Sequence, residues 1–271
     1  MERATDSKEI NKIDSRGFAC VVLPELDYDA QLIAIRHLLR THENVDKELE
    51  KEINALEESK KNCHGRIGEV FAFEREDKIH FSIYQSAAHS MSAVGMLAPL
   101  MESIFYQGFR GIHAKLFTGE QHPSGHIRWD QFDADKWDCH LVSGESGLKR
   151  DLVRGIIQLS EATGLKPFLP ENLEVVLKVL FSYRNKMFHC GFEWPVIERT
   201  RFWNSIENEK WPASWIDKAT SGGEPWIFYL SSEFIQNCIK TIEQVISSFG
   251  NFVIEKCINQ TDIAPYYKGC V

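Results

Sequence analysis

Two prolines bracket the stretch that most limits how this chain can fold. Between Pro170 and Pro195 the sequence runs PENLEVVLKVLFSYRNKMFHCGFEWP. Leu173, Val176, Leu177 and Leu180 recur at the i, i+3, i+4, i+7 spacing of one apolar helix face. Pro170 suits a first turn, Glu171 and Glu174 favour the positive end of the helix dipole, and Gly191 with Pro195 stops the helix. The spacing predicts a helix of about five turns, ending near residues 187–190. Arg184 falls on the apolar stripe, where a charge is costly unless it is used. A polar stripe of Lys178, Ser182, Asn185 and His189 runs beside it, so Arg184, Asn185 and His189 are expected together at the helix C-terminal end.

The rest of the chain follows the same period. Residues 26–40 read as a helix with Leu32, Ile35, Leu38 and Leu39 on its stripe. Residues 41–61 form a charged amphipathic helix with sparse apolar positions at Val45, Leu49, Ile53 and Leu56. Residues 79–116 make the longest helical pattern, either one helix kinked near Pro99 or two stacked helices. Residues 148–163, 196–208 and 232–258 are further helices, with Gly164 a C-cap for the first of them. Residues 118–147 form an irregular connection and 211–226 a loop rich in Trp, Pro and Gly. With few strand signals, the expected fold is all-α. An acidic helical arm occupies residues 1–60, with 14 acidic against 9 basic side chains, a balance of −5, and a helical bundle occupies 61–271.

A chain of 271 residues with 43% hydrophobic and 26% charged residues can bury a full core. No apolar run reaches the roughly 18 residues of a membrane span, and the charged start MERATDSKEI carries no signal-peptide core. Seven scattered cysteines without a C-x-x-C pair point to reduced thiols and a cytoplasmic setting. The net charge of −8 argues against indiscriminate coating of nucleic acid. Residues 148–201 nonetheless carry 9 basic against 6 acidic side chains, a local balance of +3.

Arg184, followed at once by Asn185 and then after a short spacer by His189 at a helix end, resembles the signature of the HEPN (higher eukaryotes and prokaryotes nucleotide-binding) superfamily. The specific overlap runs from Tyr183 to Gly191. Arg75 with His80 and Arg36 with His42 have similar spacing, but Glu76 would repel phosphate and His37 lies on a separate acidic helix. The resemblance implies an antiparallel helical bundle of HEPN type, with the arm and the irregular insertions added to it. It also implies a homodimer in which two Arg/His motifs face one cleft. Many members are metal-independent ribonucleases, often toxins or antiphage defence effectors held in check by an antitoxin or regulatory protein. Others bind nucleotides or partner proteins without catalysis, and that non-catalytic module is the alternative reading.

These residue types suit RNA cleavage by the 2′-hydroxyl. Imidazole titrates near neutrality, so His189 is the candidate acid or base. Arg184 can grip two phosphate oxygens with a planar fork where Lys offers a point charge, and Asn185 can orient His189 or bond the substrate. Lys149, Arg150, Lys178 and Lys186 are candidates for RNA phosphate contacts. No metal or cofactor is expected. His122, His126, Asp130, Asp133, Asp138, Cys139 and His140 offer ligand types, but their spacing fits no closed zinc pattern. His80 and His89 read as packed helix residues and His113 has no evident partner. Phe192, Trp194, Trp203, Trp211, Trp215 and Trp226 are expected to pack a loop onto the bundle, or else to stack bases. Gly144-Glu145-Ser146-Gly147 lacks the Lys of a phosphate loop, and no G-x-S-x-G occurs.

Overall fold

The computed structural model describes residues 14–117, 125–132, 136–144 and 147–259. Among these, seven α-helices carry most of the chain: α1 (Ser15–Phe18), α2 (Tyr28–Asn62), α3 (Arg66–Leu116), α4 (Leu152–Thr163), α5 (Leu173–Cys190), α6 (Val196–Asn208) and α7 (Ser232–Asn259). Two antiparallel hairpins accompany them, β1 (Leu141–Gly144) with β2 (Gly147–Arg150) and β3 (Ile216–Ser221) with β4 (Glu224–Leu230). The fold is thus mainly α-helical, as the periodicity predicts, but not without strands. None of the described helices is long and apolar enough to cross a membrane.

Several helix boundaries differ from the sequence expectation. The 26–40 and 41–61 patterns are one helix, α2, of 35 residues. Its charged half is laced by ion pairs, Lys51 with Glu48 at 2.7 Å and, across to α3, Lys78 with Glu52 at 2.6 Å and Arg75 with Glu57 at 2.8 Å. α3 is a single helix of 51 residues with Pro99 inside it. That proline is exposed, so water can take the hydrogen bond that its missing N–H leaves open. α4 begins at Leu152 rather than 148, because the Asp151 carboxylate accepts from the Arg154 N–H and caps it. Leu148, Lys149 and Arg150 are therefore strand residues of β2.

The stretch 211–226 is the larger correction. It holds a 3-10 turn at Ala213–Trp215, then β3, a two-residue turn and the start of β4. The turn is Gly222-Gly223 with φ of 60° and 87°, the left-handed pair that a tight hairpin following the strand twist requires.

The chain divides into two compact units. One comprises Asp27–Ser103 with Glu171–Ile242, and the other Met1–Leu26, Ile104–Pro170 and Glu243–Val271. The first contains α5, whose Leu173, Val176, Leu177, Val179, Leu180, Phe181, Tyr183 and Met187 are buried. The β3–β4 hairpin is fastened here. The Tyr183 hydroxyl donates to the Phe228 carbonyl at 2.9 Å, and the Ser90 hydroxyl accepts from the Leu230 N–H at 2.8 Å. Trp194 stacks on Phe228 at 5.3 Å, and Phe202 packs edge-on against Trp194, Phe228 and Trp211. Trp194, Trp211 and Trp215 are accordingly core residues of this unit, which is the packing role expected of them.

In the second unit Phe105, Phe109 and Phe249 form a buried aromatic cluster. The irregular segment is organised around Arg128, which is wholly buried. Its guanidinium donates to the carbonyls of Lys136, at 2.8 Å, Leu141 and Asp138, and to Gln158 Oε1 at 3.1 Å. Gln158 in turn bonds the backbone of Ser143 in both directions, at 2.8 and 2.7 Å.

Candidate active site

The C-terminal end of α5 carries the Arg184, Asn185 and His189 set, and the whole of it lies within the first unit. The helix stops because Gly191 adopts φ 70° and ψ −147°, a combination open essentially to glycine alone. Its N–H closes the last turn on the Met187 carbonyl at 3.0 Å. Trp194 then donates its indole N–H to the Gly191 carbonyl at 2.8 Å, fixing the exit of the chain from beneath.

Helix geometry sorts the three side chains. Asn185 and His189 are four residues apart, about 40° around the axis, and both are exposed. Arg184 and His189 are about 140° apart with about 7.5 Å of rise between them. Arg184 turns instead toward α3, where one end of its guanidinium pairs with the Glu102 carboxylate at 3.0 Å. The other end donates to the Asn185 side-chain oxygen at 3.2 Å, and the group lies over the Phe181 ring at 5.5 Å. Arg184 is thus placed at the edge of the packed face, its side chain 32% exposed. Glu102, 28% exposed, is a site residue that sequence reasoning missed. It stands 82 positions upstream and only the packing of α3 on α5 discloses it.

The remaining candidates fall in two places. Lys178 and Lys186 are on α5, and each is already in an ion pair. Lys178 meets Glu174 at 3.0 Å and Glu209 at 3.9 Å, while Lys186 pairs with Glu198 of α6. A phosphate approaching either must compete with a carboxylate. The Lys186 ammonium beside Glu198 holds that carboxyl below its ordinary value. Lys149 and Arg150 are exposed on β2 in the other unit, so the expected basic set is not one patch of a single unit. Large apolar side chains are also exposed on these two helices: Phe188 of α5 is 54% exposed, and Val196 and Ile197 at the start of α6 are 68% and 59% exposed.

Compared with known proteins, the chain matches no family model, no curated protein and no solved structure. The chemistry of the site therefore has to be read from its own residues.

Asp138, Cys139 and His140 bring their ligand atoms within 4.8 Å of one another and could hold a metal ion. The Asp138 carboxylate is otherwise engaged, with the His140 N–H at 2.9 Å and its Nδ1 at 2.7 Å. His126 accepts from the Arg128 N–H as a turn cap, whereas His122 and Asp133 lie outside the described residues. His113 stacks on Trp137 at 4.6 Å. His89 is buried against Asp46 at 3.2 Å and stacked on His42 at 4.9 Å, and burial pushes its pKa down. His80 departs from the packed-helix expectation. It is exposed and stacks on Trp226 at 5.4 Å, because α3 turns that position toward the hairpin edge rather than the core.

Proposed function

We propose that the chain is a metal-independent endoribonuclease of HEPN type, acting as a homodimer in the manner of a toxin or antiphage defence effector. The observation that supports it best is the exposure of Asn185 and His189 on one face at the end of α5, with the Arg184 guanidinium bonded to the Asn185 side chain. In this reaction the 2′-oxygen attacks the adjacent phosphorus and the 5′-oxygen leaves. One His189 takes the 2′-hydroxyl proton, and an imidazolium supplies a proton to the departing 5′-oxygen. Arg184 holds the extra negative charge of the pentacoordinate phosphorane, and Asn185 orients the imidazole or a phosphate oxygen.

A single copy is poorly arranged for this work, since its Arg184 and His189 point about 140° apart around the helix. A twofold axis beside the end of α5 would supply a second His189 and a second Arg184. The exposed Phe188, Val196 and Ile197 give such an interface apolar surface. The regulatory partner would then be an antitoxin or a signal acting on this face.

A second reading is favoured by one contact. Arg184 has a carboxylate partner in Glu102, as a structural arginine would, and the exposed Phe188, Val196 and Ile197 would equally suit a non-catalytic module that binds a nucleotide or a protein. Two experiments decide between them. Expression of the wild type should arrest growth while His189→Ala does not. Mixing Arg184→Ala subunits into wild type should depress RNA cleavage below simple dilution. Equal toxicity of the two forms would favour the non-catalytic module, whereas full wild-type activity after mixing would overturn the composite dimeric site.

A further inference from the structure

Immediately after α5 the chain meets a group of rings that the cleavage chemistry does not use. His80 and Trp226 stack with centroids 5.4 Å apart and planes 25° from parallel. Tyr84 stands edge-on to Trp226 at 5.7 Å, and Phe192 edge-on to Tyr84 at 6.4 Å. Within this aromatic group sits one carboxylate. Glu193 accepts from the Tyr84 hydroxyl on one oxygen and from the Trp226 indole N–H on the other, at 3.4 Å. All five residues belong to the unit that carries Arg184 and His189.

We propose that the exposed side of the His80–Trp226 stack, with the Glu193 carboxylate beside it, binds a guanine base of the RNA. The inference rests on the ribonuclease reading for its substrate, and it adds the base that the site selects. His80 and Glu193 are exposed, and Tyr84, Phe192 and Trp226 are half-buried, so the rings are not a sealed core like that of Trp194, Phe202 and Phe228. A flat heteroaromatic ring, the His80 imidazole, already stacks on the indole, and a base presents the same kind of surface.

Packing alone has no need of a charge among the rings, and the charge gives the base its identity. Guanine offers two parallel donors, N1–H and the exocyclic N2–H, which match the two oxygens of a carboxylate. Adenine and cytosine offer a donor beside an acceptor, and uracil one donor between two carbonyls. Tyr84 and Trp226 each bond a different oxygen and so fix the plane of the carboxylate while leaving a lone pair on each. The same two donors, Tyr84 first, hold the Glu193 carboxyl below its ordinary value, which keeps it an acceptor.

Placement agrees with this role. Glu193 follows His189 by four residues, so their Cα atoms are at most about 14 Å apart. That is within reach of a base on a nucleotide next to the cleaved bond.

The test uses the full chain carrying His189→Ala, so that binding is read without cleavage. Isothermal titration with the dinucleotides GpU, ApU, CpU and UpU should give the tightest binding for GpU. Glu193→Gln should weaken GpU about tenfold or more and leave ApU little changed, because the amide turns one acceptor into a donor. Trp226→Ala should weaken both purine dinucleotides by about tenfold. Equal affinity for all four dinucleotides, or GpU binding unaltered by Glu193→Gln, overturns the proposal. The conservative Glu193→Gln keeps it decidable even if Trp226→Ala fails to fold. The two readings fail separately. Guanine binding through Glu193 in a chain that cuts no RNA would remove the ribonuclease and leave the base site. Cleavage without base preference would remove the base site alone.

Discussion

Replacing Arg184 by Ala separates the two uses open to that side chain. Its structural use is the pair with Glu102 at 3.0 Å, the side chains being 32% and 28% exposed. Water screens a pair so exposed, and such pairs contribute about 1 kcal/mol or less. The contact with the Phe181 ring at 5.5 Å adds about 0.5–1 kcal/mol at most. Glu102, at 28% exposure, keeps its access to water, so no buried charge is stranded. The fold should therefore lose about 1–2 kcal/mol, and each kcal/mol lowers Tm by about 2–4 °C in a domain of this size. A guanidinium that grips the phosphorane is worth far more, about 10²–10³ in kcat by analogy with other charge-stabilising groups. Arg184→Lys should recover little of it, since an ammonium lacks the fork. Thermal melts and RNA cleavage on the same preparations, well below the lower Tm, measure both effects. Cleavage at the wild-type rate would refute the phosphate role. So would a Tm fall beyond about 10 °C with activity lost only in step with unfolding.

Three other perturbations test the framework around the site. Arg128→Met removes a buried guanidinium and leaves the carbonyls of Lys136, Asp138 and Leu141 without that donor, so urea denaturation should show a loss of about 3 kcal/mol or more. A loss under about 1 kcal/mol would mean that these carbonyls find other donors. Tyr183→Phe keeps the ring and deletes the bond to the Phe228 carbonyl, and the same assay should show about 1 kcal/mol. Burial pushes the His89 pKa below its ordinary 6.5 despite the attraction of Asp46. The unfolded chain then binds the extra proton first, so His89 contributes stability that is complete above about pH 6.5 and declines as pH falls below it. In His89→Gln the slope of stability against pH in that window should flatten, and an unchanged slope would assign the acid sensitivity to other groups.

Much of the helical architecture was legible because it is periodic. Leu173, Val176, Leu177 and Leu180 are buried where their spacing places them, and Gly191 ends α5 for the backbone reason that its position suggests. The hairpins were missed for different reasons. Gly222-Gly223 is a strong turn signal, but the surrounding Trp and Pro residues read as loop composition, although Ile216, Ile227, Phe228 and Leu230 are buried strand residues. In the other hairpin Leu148, Lys149 and Arg150 run directly into the cap of α4, and a helical period extended backward swallows them. Long-range pairing lay beyond any local pattern. Nothing near Arg184 in the chain announces Glu102, and nothing near His189 announces that His80, Tyr84 and Trp226 gather around Glu193. Spacing alone likewise placed Arg184 and His189 together, whereas the helix sends one toward α3 and leaves the other exposed.

The central claim is that His189 moves a proton in RNA cleavage without a metal. The most direct measurement is incubation of the purified chain and of His189→Ala with RNA in excess chelator, followed by analysis of the product ends. The wild type should cut and leave 2′,3′-cyclic phosphates or the phosphates formed by their hydrolysis, and His189→Ala should leave the RNA intact. Cleavage by His189→Ala at the wild-type rate, or activity restored only by added magnesium or manganese, would contradict it.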